Sequence, residues 1–324
     1  MFAFTARISW ERSMTPQIFS SPEAHLAAVS DSNLRVALML RKVRAPWTIS
    51  SLALPDLTAQ WCQGGGCSVT EGAVNSGAGV IFMPTQNARA MRLNGRRFDA
   101  QTIRLQFPGD EISLSSTEPH GWFRMSIPDS VLAQWIGAGT MAKAPSSCFL
   151  RLPRERAEVL QHALAQLGSI VQREHGALES APAVKTTARK LTDLVRDAIV
   201  GWRTDTSLPG RQTIPRRRIV RIVMDSIEAR DGEYLTVADL AKAAGVSERT
   251  LRAAFKDYFG MGPSQYLKLR TLNLIHKALQ NADPSVTTVA GVATQFGGWE
   301  LGRLAQNYRL LFGELPSETL RSVH

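Results

Sequence analysis

The chain has 324 residues, 44% of them hydrophobic, with a formal net charge of +10 and a pI near 10.0. That length suffices for two domains with their own cores, at about 100–200 residues each, and the positive excess favours an anionic partner, nucleic acid or a membrane surface. Three cysteines, Cys62, Cys67 and Cys148, are too few and wrongly spaced for a disulfide framework or a zinc site.

Those cysteines are therefore read as free thiols of a reducing compartment. The first residues show no basic segment followed by an apolar stretch, so no signal peptide is expected. No apolar run approaches the roughly 20 residues of a membrane span. The expected location is the cytoplasm, with no membrane partner. Half of the charge excess falls in residues 211–324, so charge by itself does not locate a binding face.

Residues 1 to about 150 read as strand-rich. Trp47 to Leu54 begins with polar–apolar alternation, and Gly79-Val80-Ile81-Phe82-Met83 is an apolar run expected to stop at Pro84. Gly64-Gly65-Gly66 marks a loop. Asn94-Gly95 is a turn dipeptide ahead of Thr102 to Phe107, which alternates cleanly. Asp129, after Pro128, is placed to open a short helix through Val131, Leu132 and Trp135.

From Pro153 the period becomes helical. Val159, Leu160, Ala163, Leu164, Leu167, Ile170 and Val171 form one apolar stripe. After a break at Gly176 and Pro182, Val184, Ala188, Leu191, Leu194, Val195, Ile199 and Trp202 form a second. The two helices read as an antiparallel pair, either packed on the sheet of their own domain or partly given to a homodimer interface. Residues 203–214 have the composition of a linker. Arg216-Arg217-Arg218 then opens a helix with Ile219, Ile222, Val223, Ser226 and Ile227 on one face.

Metal or nucleophile chemistry finds little support in the front half. Residues 1–150 contain only His25 and His120, with no His-x-His pair, and His120 beside Pro119 reads as a loop residue. His162 and His175 lack a ligand spacing. There is no Gly-x-Ser-x-Gly, glycine-rich phosphate loop or Cys/His pairing. The expectation is no catalytic residue, no metal and no cofactor. Trp47, Trp61, Phe82 and Trp122 are read as sheet core rather than as a ligand wall.

The last third is written twice. Thr236-Val237-Ala238-Asp239-Leu240-Ala241 with Gly245 returns as Thr288-Val289-Ala290-Gly291-Val292-Ala293 with Gly297. Phe259-Gly260-x-x-Pro263-Ser264 returns as Phe312-Gly313-x-x-Pro316-Ser317. In the first copy Thr236 caps a helix in capping-box spacing with Asp239, and Gly245 makes the turn. Ser247 then caps a second helix whose inward side is Leu251, Ala254, Phe255 and Phe259. Glu248, Arg249, Arg252, Ala253 and Lys256 are left facing out. Arg249 and Arg252 are the candidate base readers, because a guanidinium can bond guanine O6 and N7 together. Small Ala253 admits close approach to base edges, and Lys256 completes the cationic face.

Gly262-Pro263 starts a long connecting helix with Leu267, Leu274, Ile275 and Ala278 inward, ending before Asp283-Pro284. In the second copy Leu304, Tyr308 and Phe312 face in. Arg303 and Gln306 are candidate base contacts there, and Arg309 a phosphate contact. A rigid rod between two reading heads would set their spacing against major-groove faces roughly 34 Å apart.

These residues, from about Arg217 to Leu320, resemble the DNA-binding domain of AraC/XylS-type transcription regulators in the double helix-turn-helix, the Phe-Gly-x-x-Pro-Ser closures and the one-residue change of register between copies. The resemblance implies a seven-helix module of two subdomains that binds promoter DNA and activates transcription in contact with RNA polymerase. Two positions depart from the pattern. The residue after the second turn glycine is Gly298 where an aromatic is common, with Trp299 the candidate substitute, and Gly291 sits inside a helix, where glycine costs about 1 kcal/mol against alanine. Val80 to Pro84 and Ile127-Pro128 resemble the β-rich ligand-sensing domains of the same family.

The fold class expected is α+β. Residues 1–202 form a β-rich sensing or dimerising domain with a helical pair, 203–214 a linker, and 215–324 an all-α double helix-turn-helix DNA-binding domain. The expected function is a sequence-specific regulator of transcription, an activator, whose amino-terminal domain senses a small molecule or dimerises. The alternatives are a constitutive regulator with a ligand-free protein-interaction platform and, more remotely, a metal-dependent enzyme fused to a DNA-binding module. Expected partners are double-stranded promoter DNA, RNA polymerase, a small-molecule effector and a second copy of the chain.

Overall fold

A computed structural model describes residues 16–41, 45–54, 57–75, 77–136, 148–173, 181–200, 213–230, 233–297 and 300–322. Two antiparallel sheets face each other. The larger runs in the order β1 (Gln17–Phe19), β3 (Trp47–Leu54), β4 (Leu57–Gly64), β11 (His120–Pro128), β6 (Ala78–Gln86), β9 (Thr102–Gln106) and β12 (Cys148–Arg151). The smaller runs β2 (Ser32–Arg41), β5 (Cys67–Val74), β10 (Glu111–Ser116), β7 (Met91–Leu93) and β8 (Arg96–Arg97). Ile49, Cys62, Val80, Phe82 and Trp122 from the first meet Val74, Met91, Leu93 and Ile112 from the second.

The larger sheet is covered on its other face too. Leu52, Ala59, Trp61, Phe123 and Met125 pack against Leu160 and Leu164 of helix α3 (Arg154–Arg173) and Leu191 and Val195 of helix α4 (Ala181–Val200). Successive residues of a strand point to opposite faces, so on β11 Trp122 enters the sandwich while Phe123 meets the helices. Burial on both faces explains why the alternation in β9 misleads. All five of its residues are buried, Arg104 and Gln106 included.

Pro84 does not end β6. The strand continues to Gln86 because its register against β11 shifts between Gly121 and Trp122, where Trp122 faces Pro84 and Gly121 faces Gln86. A bulge tolerates the missing proline N–H, and β9 pairs with β6 only as far as Phe82. His120, expected in a loop, instead opens β11 and is 5% exposed. Asn94 and Gly95 have φ of 48° and 80°, as the two-residue hairpin between β7 and β8 requires. Helix α1 (Pro22–Ala27) lies between β1 and β2. Helix α2 (Asp129–Ile136) follows β11 with Leu132 buried, where the short helix was expected.

On α3 the apolar stripe is rotated from the expected one. Val159 is 61% exposed and Ile170 37%, whereas Ala157, Leu160 and Leu164 are buried. The contact that decides this is Trp61, whose Nε1 donates to the Leu164 carbonyl at 2.9 Å. A Cβ at Gly168 would lie 2.8 Å from the same indole, so glycine there lets the helix settle on the ring. The expected antiparallel pair does pack on the sheet. Val171, Val184 and Ala188 as side chains, and Gly176, Trp202 and nearly all of the expected linker, lie outside the described residues.

Seven helices follow among the described residues: α5 (Thr213–Glu228), α6 (Val237–Ala243), α7 (Glu248–Phe259), α8 (Pro263–Gln280), α9 (Val289–Gln295), α10 (Leu301–Phe312) and α11 (Pro316–Arg321). On α5 the buried residues are Val220, Val223 and Ile227, with Ile219 and Ile222 only half-buried. α5–α7 and the start of α8 share one core, and the end of α8 with α9–α11 another. Serving both, α8 buries Tyr266, Leu267, Arg270, Leu272, Ile275 and Leu279, while Leu274 and Ala278, also expected inward, are only half-buried because the buried face turns to meet two cores.

The helices dock on the outer face of the smaller sheet. Leu38 and Val69, both fully buried, belong to the α5–α8 core. Asn273 of α8 grips the backbone of Met39 on β2, its Oδ1 accepting from the Met39 N–H at 3.0 Å and its Nδ2 donating to the Met39 carbonyl at 3.1 Å. Arg92 donates to the Asp257 carbonyl at 2.8 Å, and Arg35 pairs with Glu228 and, at 3.8 Å, with Glu71. In layers the molecule is a stack: helices, sheet, sheet, helices.

Candidate nucleic-acid interface

The first head assembles from local rules. The Thr236 hydroxyl accepts from the Asp239 N–H at 3.2 Å while the Asp239 carboxylate accepts from the Thr236 N–H at 2.9 Å, a complete capping box. Two otherwise unmet backbone donors are thereby satisfied. Hydrogen bonding from Thr236 holds the Asp239 carboxyl below its usual range. Gly245 turns the chain at φ 63°, and Ser247 accepts from the Thr250 N–H at 3.2 Å to start α7. Leu251, Ala254, Phe255 and Phe259 are buried, as expected.

That packing fixes what is left outside. Arg249, Arg252 and Lys256 are exposed along α7, with Ala253 half-buried between them. Arg252 Nη2 lies 2.6 Å from Glu248 Oε2, one turn earlier. An exposed pair of this kind contributes little to stability, so the guanidinium can be drawn away by a stronger acceptor. Arg216, from the arginine run, has a structural role instead, since its ion pair with Asp257 ties α5 to α7.

The second head repeats the plan with differences. Thr288 accepts from the Gly291 N–H at 3.1 Å, but glycine cannot return the bond that Asp239 makes in the first copy. Gly297 turns at φ 104°. Helix α10 begins four residues after that glycine, against three in the first copy, which is the change of register seen in the sequence. Gly298 and Trp299 lie outside the described residues. Leu304 and Tyr308 are fully buried and Phe312 nearly so. Arg303, Gln306 and Arg309 are exposed, and Arg303 Nε lies 3.1 Å from Glu300.

A polar chain that sequence reading missed holds this head to the rod. His276 Nδ1 meets Tyr308 Oη at 2.5 Å, the tyrosine donates to Thr319 at 2.8 Å, and Thr319 donates to Glu314 at 2.6 Å. His276 also stacks on Phe312 at 4.0 Å. Lys268 of α8 donates to Asn307 on α10 at 2.8 Å. The rod's 18 residues span about 27 Å at 1.5 Å each. Two exposed cationic helices are thus pinned to one beam, each by its own buried core.

Residues 240–322 match the family described as a helix-turn-helix domain. The chain is 39% identical over 105 residues to a probable thc operon regulatory protein of Rhodococcus erythropolis, covering 32% of each. It is 35% identical over 104 residues to the XylDLEGF operon transcriptional activator 3 of Pseudomonas putida, covering 32% of this chain and 30% of that one. The chain therefore spans about a third of the length of these relatives. Among solved structures, a probable AraC family transcriptional regulator from Rhodopseudomonas palustris is 36% identical, covering 33% of this chain and 97% of that one at a TM-score of 0.30. ToxT from Vibrio cholerae is 10% identical, covering 82% of this chain and 98% of that one, also at 0.30. Over the matched residues, with their doubled caps, turns and closures, the chain carries a helix-turn-helix domain similar to that of AraC/XylS-type regulators.

Proposed function

We propose that this protein is a sequence-specific, DNA-binding transcription regulator of the activator type, with a sensing or dimerising domain up to residue 202 and a DNA-binding domain from residue 215. The observation that carries the reading is the pair of exposed cationic helices, α7 and α10, mounted on one rod. Arg249, Arg252, Arg303 and Gln306 are assigned to base edges, Ala253 to close approach, and Lys256 and Arg309 to phosphate. RNA polymerase, a second copy of the chain and a small-molecule effector are the further partners assigned, and the cytoplasm the place of action.

Footprinting the full chain on the DNA flanking its own gene tests the reading. Arg252→Ala is expected to weaken a specific site by about 1–3 kcal/mol and to relax base preference at one position. Equal weakening on every sequence would reassign Arg252 to phosphate. Absence of any protected site would sink the regulator reading.

A further inference from the structure

The cationic ridge of α7 does not stop where the helix does. Arg249, Arg252 and Lys256 follow one another at three- and four-residue steps, and the next step is Gly260, which closes the helix at φ 81°. Residues at that spacing share a face. A Cβ at Gly260 would lie 3.4 Å from Arg92 Nε, so a guanidinium from the sandwich sits where the ridge lacks its fourth side chain. Arg92 Nη1 donates to the Asp257 carbonyl at 2.8 Å, and the carbonyl end of a helix favours a cation. Beside it Tyr258 presses on the β7–β8 turn, where a Cβ at Gly95 would lie 2.7 Å from the ring. The hairpin is seated on the end of α7.

Across the hairpin Arg92 faces Arg97, and Leu93 faces Arg96. Leu93 is buried in the core between the sheets. Arg92 and Arg97 therefore point to the outer side of their sheet. Arg96 points to the inner side, with its guanidinium 4.5 Å from the centre of the Phe149 ring. Arg97 is exposed and forms no ion pair among the described residues. Like charges directly opposed across a ladder destabilise it. Burial and, after it, the charge of Arg97 push the Arg92 pKa below its ordinary value. At the start of α5, Arg216 takes up the Asp257 carboxylate and Arg217 acts on Tyr258. The guanidiniums of Arg92, Arg97, Arg216 and Arg217 thus gather at one helix end, where the Asp257 carboxylate serves Arg216.

Position decides between base and phosphate. Gly260 comes eight residues after Arg252, about 12 Å along the axis at 1.5 Å each, and the major groove is about 12 Å wide. With Arg252 on base edges, a cation beyond Gly260 lies over the edge of the groove, where the phosphates run. We propose that the β7–β8 hairpin of the amino-terminal domain grips the phosphate backbone of the DNA beside the first head, through Arg97 with Arg92 behind it. This rests on the assignment of α7 to bases. The occupant is the same duplex, because the hairpin prolongs the ridge already given to it. The docked sandwich adds affinity without adding sequence preference, and an undocked one loses the contact.

The test measures binding of the full chain to a duplex from the DNA flanking its own gene and to a scrambled duplex of equal length and composition, between about 50 and 200 mM salt. Each phosphate contact adds about 0.9 to the slope of log affinity against log salt. Arg97→Ala is expected to lower that slope by about 0.9 and to weaken both duplexes by the same several-fold factor. Arg97→Lys, which keeps the charge, should retain the slope, and Arg96→Ala, on the inner side, should match the parent. A parent-like slope in Arg97→Ala, a loss confined to the flanking duplex, or an equal loss in Arg96→Ala would overturn the proposal. So would unchanged DNA binding in Arg97→Ala with weakened transcription, which gives the patch to an acidic protein instead. Equal affinity of the parent for both duplexes, with the slope still lowered in Arg97→Ala, defeats only the sequence-specific reading. Preference for the flanking duplex with an unmoved slope defeats only the hairpin contact, and binding to neither duplex overturns both.

Discussion

Glu71, His25 and His120 pull stability in opposite directions as pH falls. Burial lowers both histidines from 6.5 to about 4, so the unfolded chain binds their protons first. Their stabilising effect is complete above pH 6.5 and is lost on the way down to pH 4, about 3 kcal/mol each at 1.36 kcal/mol per unit. Glu71 is raised to about 7 by burial, against the attraction of Arg35 and with the repulsion of Glu228. Its effect has the other sign: stability is gained as pH drops from 7 to 4.5, by about the same amount. Glu71→Gln should therefore be more stable than the parent at pH 8 and should lose about 3 kcal/mol more on acidification to pH 4. Urea melts at the two pH values check this, and parallel curves would count against it.

At the scale of elements, the two heads differ most at their caps. Gly291 holds the place of Asp239, its Cβ position is open except for Thr288 Oγ1 at 3.2 Å, and the residue is exposed. Gly291→Asp should complete the second capping box and remove a helical glycine, raising stability by about 1–2 kcal/mol in thermal melts. No gain would mean the carboxylate does not reach the Thr288 N–H. Caps, turns and the inward faces of α7 and α10 were legible because they obey rules spanning three or four residues. So was the outward placement of Arg252 and Arg303, which follows once Leu251 and Leu304 are buried. The rotation of α3 was not legible, because Trp61, more than 90 residues earlier, sets it. Nor was the burial of Arg124: a lone arginine in an apolar strand looks the same whether its face meets water, helices or a second sheet.

For the whole molecule, the joint between sandwich and helices combines the buried Leu38 and Val69 with a half-buried polar clasp. Asn273 satisfies both backbone groups of Met39, and no local signal marks an asparagine on a helix as the partner of an edge strand. Asn273→Leu leaves an N–H and a C=O unmet, at a cost of about 1–3 kcal/mol, and hydrogen exchange at the Met39 amide should accelerate at least tenfold. Unchanged exchange would show that the joint is held by Leu38 and Val69 instead.

The strand β2 has two commitments. Ser32 accepts from Arg124 inside the sandwich, and Met39, seven residues on and roughly 23 Å away, is clasped by the rod outside it. One strand thus ties the sandwich interior to the rod that carries both helix-turn-helix heads.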